Sequence, residues 1–285
     1  MADRKIRKHE DLDVFARVFK VFCDTPWLHY GLWLPDETPS MPRVRVAQER
    51  YVDKLLALLP PAPASVLDIG GGTGAMAERL VTLGYEVEML TPSEVQVGIA
   101  RETLGTRAKV HHARLEDFST TRQFDVCLFS ESFQYMPMAL SLPKAQTLLS
   151  PGGRVVIADC FRSEGYSGGR RVGGGHRLSD FGPAIAAAGF AIASDEDVTA
   201  MAAPTITLDR MVYRDVLSPV ISQVNVTLSE RKPLLHRLLR LGYRLFVSRK
   251  QREAIAVRLA AEQRTPEVFL ANNSYRFVML VRADK

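Results

Sequence analysis

With 285 residues, 46% of them apolar and 24% charged, the chain can bury a full core and falls in the ordinary globular class. No apolar run approaches the roughly 20 residues that span a bilayer. The charged first eight residues lead into no signal-peptide core, and Cys23, Cys127 and Cys160 lack disulfide or metal-ligand spacing; these features predict a cytoplasmic protein with reduced thiols and no metal. The net charge of +5 is concentrated, because residues 231–264 hold ten Lys/Arg against two Asp/Glu and the remainder is acidic. Nucleic-acid-binding folds spread basic groups along a platform, so a nucleic-acid partner is not expected.

Apolar residues at Leu12, Phe15, Val18, Phe19 and Phe22 recur at three and four and predict a helix over 9–30, closed by Pro26. An aromatic turn follows at 29–35, then a helix from Pro42 to Leu59 with the stripe Val46, Tyr51, Leu55 and Leu58. From Ser65 strands and helices alternate: strand 66–69, helix 75–83, strand 86–90, helix 94–104, strand 108–112, strand 124–130, helix 142–149 and strand 154–159. Residues 163–176 form a glycine-rich loop, expected to be mobile. Then come a helix over 178–188, a strand from Phe190, a mainly helical stretch over 195–267 and a last strand over 275–281. This order predicts an α/β fold with a doubly wound, mostly parallel sheet. Four units are expected: an N-terminal helical cap (1–60), an α/β core (61–200), a helical lid (201–270) and the core's final strand (271–285).

The stretch Val66-Leu67-Asp68-Ile69-Gly70-Gly71-Gly72-Thr73-Gly74-Ala75 reads as strand, tight turn, helix. Glycines at 70, 72 and 74 let the backbone turn sharply and admit a nucleotide-like ligand against the main chain. Gly70-x-Gly72-x-x-Ala75 also fits the dinucleotide fingerprint, which requires an acid about 20 positions on. The end of the second strand reads Leu90-Thr91-Pro92-Ser93 and offers none.

Asp68-x-Gly70-x-Gly72-x-Gly74 resembles the first motif of class I S-adenosylmethionine-dependent methyltransferases. The resemblance implies S-adenosylmethionine as cofactor and a seven-stranded sheet, with the acid near the cofactor's amino-acid end. Thr91-Pro92-Ser93-Glu94-Val95-Gln96 with Ala100-Arg101 resembles a run of the subgroup that holds cyclopropane-fatty-acid synthases and sterol and tocopherol C-methyltransferases. There a threonine and a glutamine contact the cofactor, an expectation that falls on Thr91 and Gln96. His29-Tyr30-Gly31-Leu32-Trp33 resembles the subgroup's His-Tyr-Gly-x-Trp segment and adds Tyr30 and Trp33. Arg114-Leu115-Glu116-Asp117-Phe118 stands where members cup the adenine, with Leu115 and Glu116 as contacts; Arg114 replaces the usual acid. Ser130, at the end of the fourth strand, completes the expected cofactor set.

Ser130-Glu131-Ser132-Phe133-Gln134-Tyr135-Met136-Pro137 resembles Glu-Ser-x-Glu-His-Met-Pro of tocopherol-type enzymes, with Gln134 and Tyr135 in place of Glu-His. Methyl transfer needs alignment and sometimes a proton acceptor. Glu131 is the strongest acid/base candidate, with Tyr135 and His176 behind it; a carboxylate merely held at a helix start is the competing reading of Glu131. Gln134 cannot act as a base, which weakens cyclopropane formation. In 233–247 leucines share one helical face and Arg237, Arg240 and Arg244 the other. Either this helix packs as a lid, or residues 231–264 touch a membrane surface. The expected activity is methyl transfer to a small apolar or amphiphilic acceptor, lipid, isoprenoid or polyketide-like. A silent cofactor-binding partner protein and a nucleic-acid methyltransferase are the alternatives. Oligomeric state is left open.

Overall fold

The computed structural model describes residues 24–166, 173–249, 251–253 and 264–283. The helix expected over 9–30 lies outside these up to residue 23, and residues 24–30 are irregular. Strands β1 (Ser65–Ile69), β2 (Glu86–Thr91), β3 (Lys109–His112), β4 (Phe124–Ser130), β5 (Leu149–Arg162), β6 (Phe190–Asp197) and β7 (Asn273–Arg282) form one sheet in the order β3-β2-β1-β4-β5-β7-β6. The five strands from β3 to β5 are parallel and β7 runs antiparallel between β5 and β6. Strand order reverses between β1 and β4, which opens a crevice beyond their carboxyl ends.

Short apolar runs buried on both faces build the central strands: Val66, Leu67, Ile69, Val126, Leu128 and Phe129 are all fully buried. Helices α2 (Ala75–Thr82), α3 (Glu94–Leu104), α4 (Met138–Leu148) and α5 (Leu178–Ala187) cover them. Helix α4 starts four residues earlier than its periodicity suggests and carries Pro143 inside.

The described part of the N-terminal segment packs on this core, with Trp27 and Leu32 buried in it. Helix α1 (Val44–Leu56) buries Val44, Ala47, Tyr51, Val52 and Leu55, whereas Val46 is 52% exposed. Tyr51 and Leu55 thus lie on the buried stripe as expected, with Leu58 packed beside it, and Val46 alone lies off it. Gly31 permits the close approach of segment and helix, since a Cβ there would stand 2.6 Å from Ala47 Cβ.

The helical stretch before β7 has two characters. Its base, α6 (Thr199–Ala202) and α7 (Thr205–Met211), is docked on the N-terminal segment. Thr205 Oγ1 accepts from Trp33 Nε1 (3.0 Å) and Gly31 N (3.2 Å) and donates to the Gly31 carbonyl. Thr205→Val keeps the shape and orphans the buried indole N–H, so unfolding in urea should show a loss of about 2 kcal/mol; an unchanged midpoint would show that the anchor contributes nothing. Beyond a π-helical turn at Val212–Leu217, helices α8 (Ser218–Arg231) and α9 (Pro233–Phe246) contain no buried residue. The expectation of a lid helix packed on the core is therefore not met by α9. Helix α10 (Pro266–Asn272) returns the chain to the sheet.

Candidate functional site at the carboxyl ends of β1, β2 and β4

The backbone leaves β1 through a turn tied to the end of β2, where Gly70 N and Gly71 N both donate to the Leu90 carbonyl at 2.9 and 3.1 Å. Gly70 has φ +80° and a Cβ there would stand 2.5 Å from Ser132 Cβ, so side chains are excluded twice over. At Gly72, φ is +57° and a Cβ would meet nothing within 4 Å, which leaves bare backbone facing open space. Gly74 caps α2 in the left-handed region.

Beneath this turn Asp68 is 1% exposed, and among the described residues its Oδ2 has no hydrogen-bond partner. Burial pushes its carboxyl up to about 7. An orphaned buried carboxylate under an open glycine turn is the arrangement that a ligand's cationic group completes.

At the end of β2, Thr91 Oγ1 donates to Gln96 Oε1 at 2.7 Å and both side chains are buried. Ser93 caps α3 by accepting from Gln96 N. Thr91 and Gln96 are thus positioned by one another at the crevice. Leu115 is buried after β3, and Glu116 is paired with Arg114 at 2.9 Å. Trp33 is buried among Val44, Ala47 and Leu208 with its N–H on Thr205, so its ring belongs to the lid anchor and not to the turn.

After β4 the chain turns at Glu131, which has φ +51° and donates its N–H to the Ala158 carbonyl. Its Oε1 accepts from Tyr30 N (2.7 Å) and Tyr275 Oη (2.5 Å). Burial pushes Glu131 up to about 8, against those two hydrogen bonds and with the negative field of Asp159 adding to the rise. Ser130 Oγ lies 3.0 Å from Tyr51 Oη, whose proton goes to the Ala158 carbonyl. Tyr135 is half-exposed, and burial of its hydroxyl, with Glu131 and Asp159 nearby, pushes its pKa upward. His176 Nε2 lies 3.1 Å from the Phe133 carbonyl, and its ring packs edge-on against Phe133. Residues 173–177 are pinned along β5 by Arg162, whose N–H and guanidinium donate to the carbonyls of His176 and Gly175. The mobility expected for the loop therefore does not extend to them, and 167–172 lie outside the described residues.

Three side chains of this cluster carry no motif. Asp159 is fully buried and accepts from Gln134 N (2.9 Å) and Cys160 N (2.7 Å), and burial pushes it up to about 7. Tyr51 and Tyr275 read as core aromatics until the fold turns their hydroxyls toward Ser130 and Glu131. His29 stacks on Tyr51 at 3.9 Å between centroids, and burial holds it near 4 and therefore neutral. Among the described residues no group of His, Cys, Asp and Glu could hold a metal, and no helix is long and apolar enough to cross a membrane.

Asp68, Glu131 and Asp159 keep protons that the unfolded chain releases near their ordinary values, so stability falls as pH rises through their folded pKa values. Above about pH 6.5 His29 is neutral in both states and opposes nothing. The melting temperature of the ligand-free protein should therefore drop between about pH 6.5 and 8.5; a flat or rising profile would contradict these burials.

The family model described as a methyltransferase domain matches residues 44–181. Residues 44–181 are a methyltransferase domain. The sheet of the whole chain, which β6 and β7 beyond that match complete with the antiparallel β7 between β5 and β6, has the class I architecture. A ubiquinone biosynthesis O-methyltransferase of Aromatoleum aromaticum is 32% identical over 104 residues, 34% of this chain and 44% of that protein. The chain spans about half the length of the curated relatives it matches. Among solved structures, the [4+2]-cyclase SpnF superposes with a TM-score of 0.68 at 18% identity, covering 97% of this chain and 95% of that one. The cyclopropane synthase MmaA2 of Mycobacterium tuberculosis follows with 0.66 at 16% identity, covering 92% of each chain. Both share the fold. The cofactor of such a methyltransferase domain is S-adenosylmethionine, and the residues present fit it: the buried Asp68 Oδ2 has no partner among the described residues and suits a cationic group, and a Cβ at Gly72 would meet nothing within 4 Å, so the main chain there is open to a ligand.

Proposed function

We propose that the protein transfers the methyl group of S-adenosylmethionine to a small apolar or amphiphilic acceptor of lipid, isoprenoid or polyketide type. The observation that carries the reading is the unpartnered Asp68 carboxylate under the bare backbone of Gly72. Asp68 and the turn at Gly70, Gly72 and Gly74 hold the cofactor's amino-acid and ribosyl parts; Thr91 and Gln96 meet it from the end of β2. Leu115 and Glu116 flank its adenine, Tyr30 approaches its carboxylate end, and Ser130 completes the set at the end of β4. The indole of Trp33 acts through the lid anchor.

When bound, the cofactor supplies an electrophilic methyl group. The chain's part is alignment, exclusion of water and a place for a proton. Glu131 is the proton acceptor, since its carboxylate lies at the carboxyl end of β4 with a pKa near the working range. Tyr135, pushed upward, serves as a hydroxyl that orients the acceptor and not as a base. His176, engaged with the Phe133 carbonyl, positions the wall beside it.

The acceptor class draws on similar proteins: a relative named for ubiquinone biosynthesis, one named as a tuberculostearic acid methyltransferase, and a shared fold with a cyclopropane synthase. Incubating the protein with radiolabelled cofactor and fractionated lipid and polar extracts tests it. Label should enter the lipid fraction; label in polar metabolites alone refutes the acceptor class. The second reading is that the protein binds the cofactor and moves no methyl group, since its fold is shared with a protein named as a [4+2]-cyclase. S-adenosylhomocysteine released with an extract separates the two.

A further inference from the structure

We propose that α9 docks the protein onto the surface of a bilayer containing anionic lipid. Among the described residues, α9 leaves its entire apolar face uncovered: Leu234, Leu238, Leu245 and Phe246 are 74%, 66%, 70% and 87% exposed. The neighbouring α8 buries no residue either and exposes Val220 and Val224. The leucines occupy about half of the helix circumference, and Arg237, Arg240 and Arg244 fill the opposite arc with His236. Surfaces this apolar mark interaction sites on folded proteins.

The charge pattern selects the occupant. Residues 231–249 carry six Lys/Arg and no acid, and among the described residues none of Arg237, Arg240 and Arg244 forms an ion pair. A second copy docked leucine face to leucine face would leave the arginines of both helices pointing into solvent, with no acid on either helix to meet them. A nucleic acid would take the arginines and leave the leucines in water. An anionic bilayer satisfies both faces at once: leucines enter the boundary between headgroups and acyl chains, and arginines extend their stems to reach phosphates. Arg252 adds to the helix's integrity, donating to the carbonyls of Arg244 (2.7 Å) and Val247 (3.0 Å) at its C-terminal end. The base of the lid is anchored on the N-terminal segment through Thr205, so docking through α9 tethers the rest of the chain to the lipid surface.

Co-flotation with phosphatidylcholine vesicles, with and without about 30% phosphatidylglycerol, tests the proposal. The wild-type protein should float with the anionic vesicles only, and about 0.5 M salt should weaken that binding. Replacing Arg237, Arg240 and Arg244 together with Ala should lower the partition coefficient about 100-fold, and Leu238→Ser with Leu245→Ser should abolish flotation. Both variants alter exposed side chains outside the cofactor site, so their circular dichroism and S-adenosylhomocysteine affinity should match the wild type. Equal retention on both vesicle types, or none on either, overturns the proposal. So does a stable dimer that Leu245→Ser dissociates in a protein that ignores vesicles. No turnover is measured, so the outcome is independent of the methyl-transfer reading.

Discussion

Asp68→Asn should move cofactor binding and stability in opposite directions. The wild-type carboxyl is buried with Oδ2 unpartnered and its pKa raised to about 7. At pH 8 the ligand-free protein therefore carries an uncompensated buried charge, a penalty of about 4 kcal/mol from the shift alone. Asparagine removes the charge but still buries an amide, so the net gain should be about 1–2 kcal/mol. The variant also loses the charge that meets the cofactor's ammonium, which raises the dissociation constant about 100-fold. Urea denaturation at pH 8 and calorimetric titration with S-adenosylhomocysteine read the two effects. Unchanged affinity would remove Asp68 from the cofactor site. Reduced stability would mean that its carboxylate has a partner within the protein.

At Glu131 the informative comparison is between Gln and Ala. Glutamine can still accept from Tyr30 N and Tyr275 Oη through its carbonyl oxygen, so the turn should hold and melting should shift by only a few degrees. It cannot take a proton, and kcat should fall about 100-fold or more with little change in cofactor affinity. The acidic limb of the wild-type rate profile should rise through about pH 8, as deprotonation of Glu131 requires. Alanine instead strands the Tyr30 N–H and the Tyr275 hydroxyl, which should cost about 2–4 kcal/mol and loosen residues 29–33. Should Gln retain full kcat while Ala unfolds the protein, Glu131 is a structural carboxylate and the proton leaves by another route.

The core was legible because its signals are local. The apolar run 66–69, the helical pattern over 94–104 and the largely apolar run Phe124–Ser130 place β1, α3 and β4 within one residue of their observed bounds. Where local and tertiary preferences diverge, the bounds moved. Pro151-Gly152-Gly153 reads as a turn, yet β5 begins at Leu149 and runs to Arg162 with an irregular register beside β4. In the site, Asp68 and the glycines carry their chemistry in their spacing. Asp159, Tyr51 and Tyr275 do not, since a polar residue ending a strand and an aromatic within one look the same whether or not they converge. Their meeting depends on pairings such as Cys160 with Tyr275 across β5 and β7, more than 100 residues apart in the chain. Periodicity found α9 and its two faces, but whether leucines meet a core or water is decided by the rest of the fold.

The antiparallel β7 joins the sheet last and sits between two strands made long before it. Within the sheet β6 pairs with β7 alone, and β7 supplies the hydroxyl on Glu131. During synthesis the glycine turn, Asp68 and the ends of β2 and β4 can assemble while β6 still lacks a neighbour. The half of the crevice proposed to take the cofactor is therefore able to form ahead of the half that contains Glu131. Until residue 273 is available, the edge of β5 stays open to pairing with other chains. Early occupancy of the cofactor half would stabilise the part of the sheet that must wait.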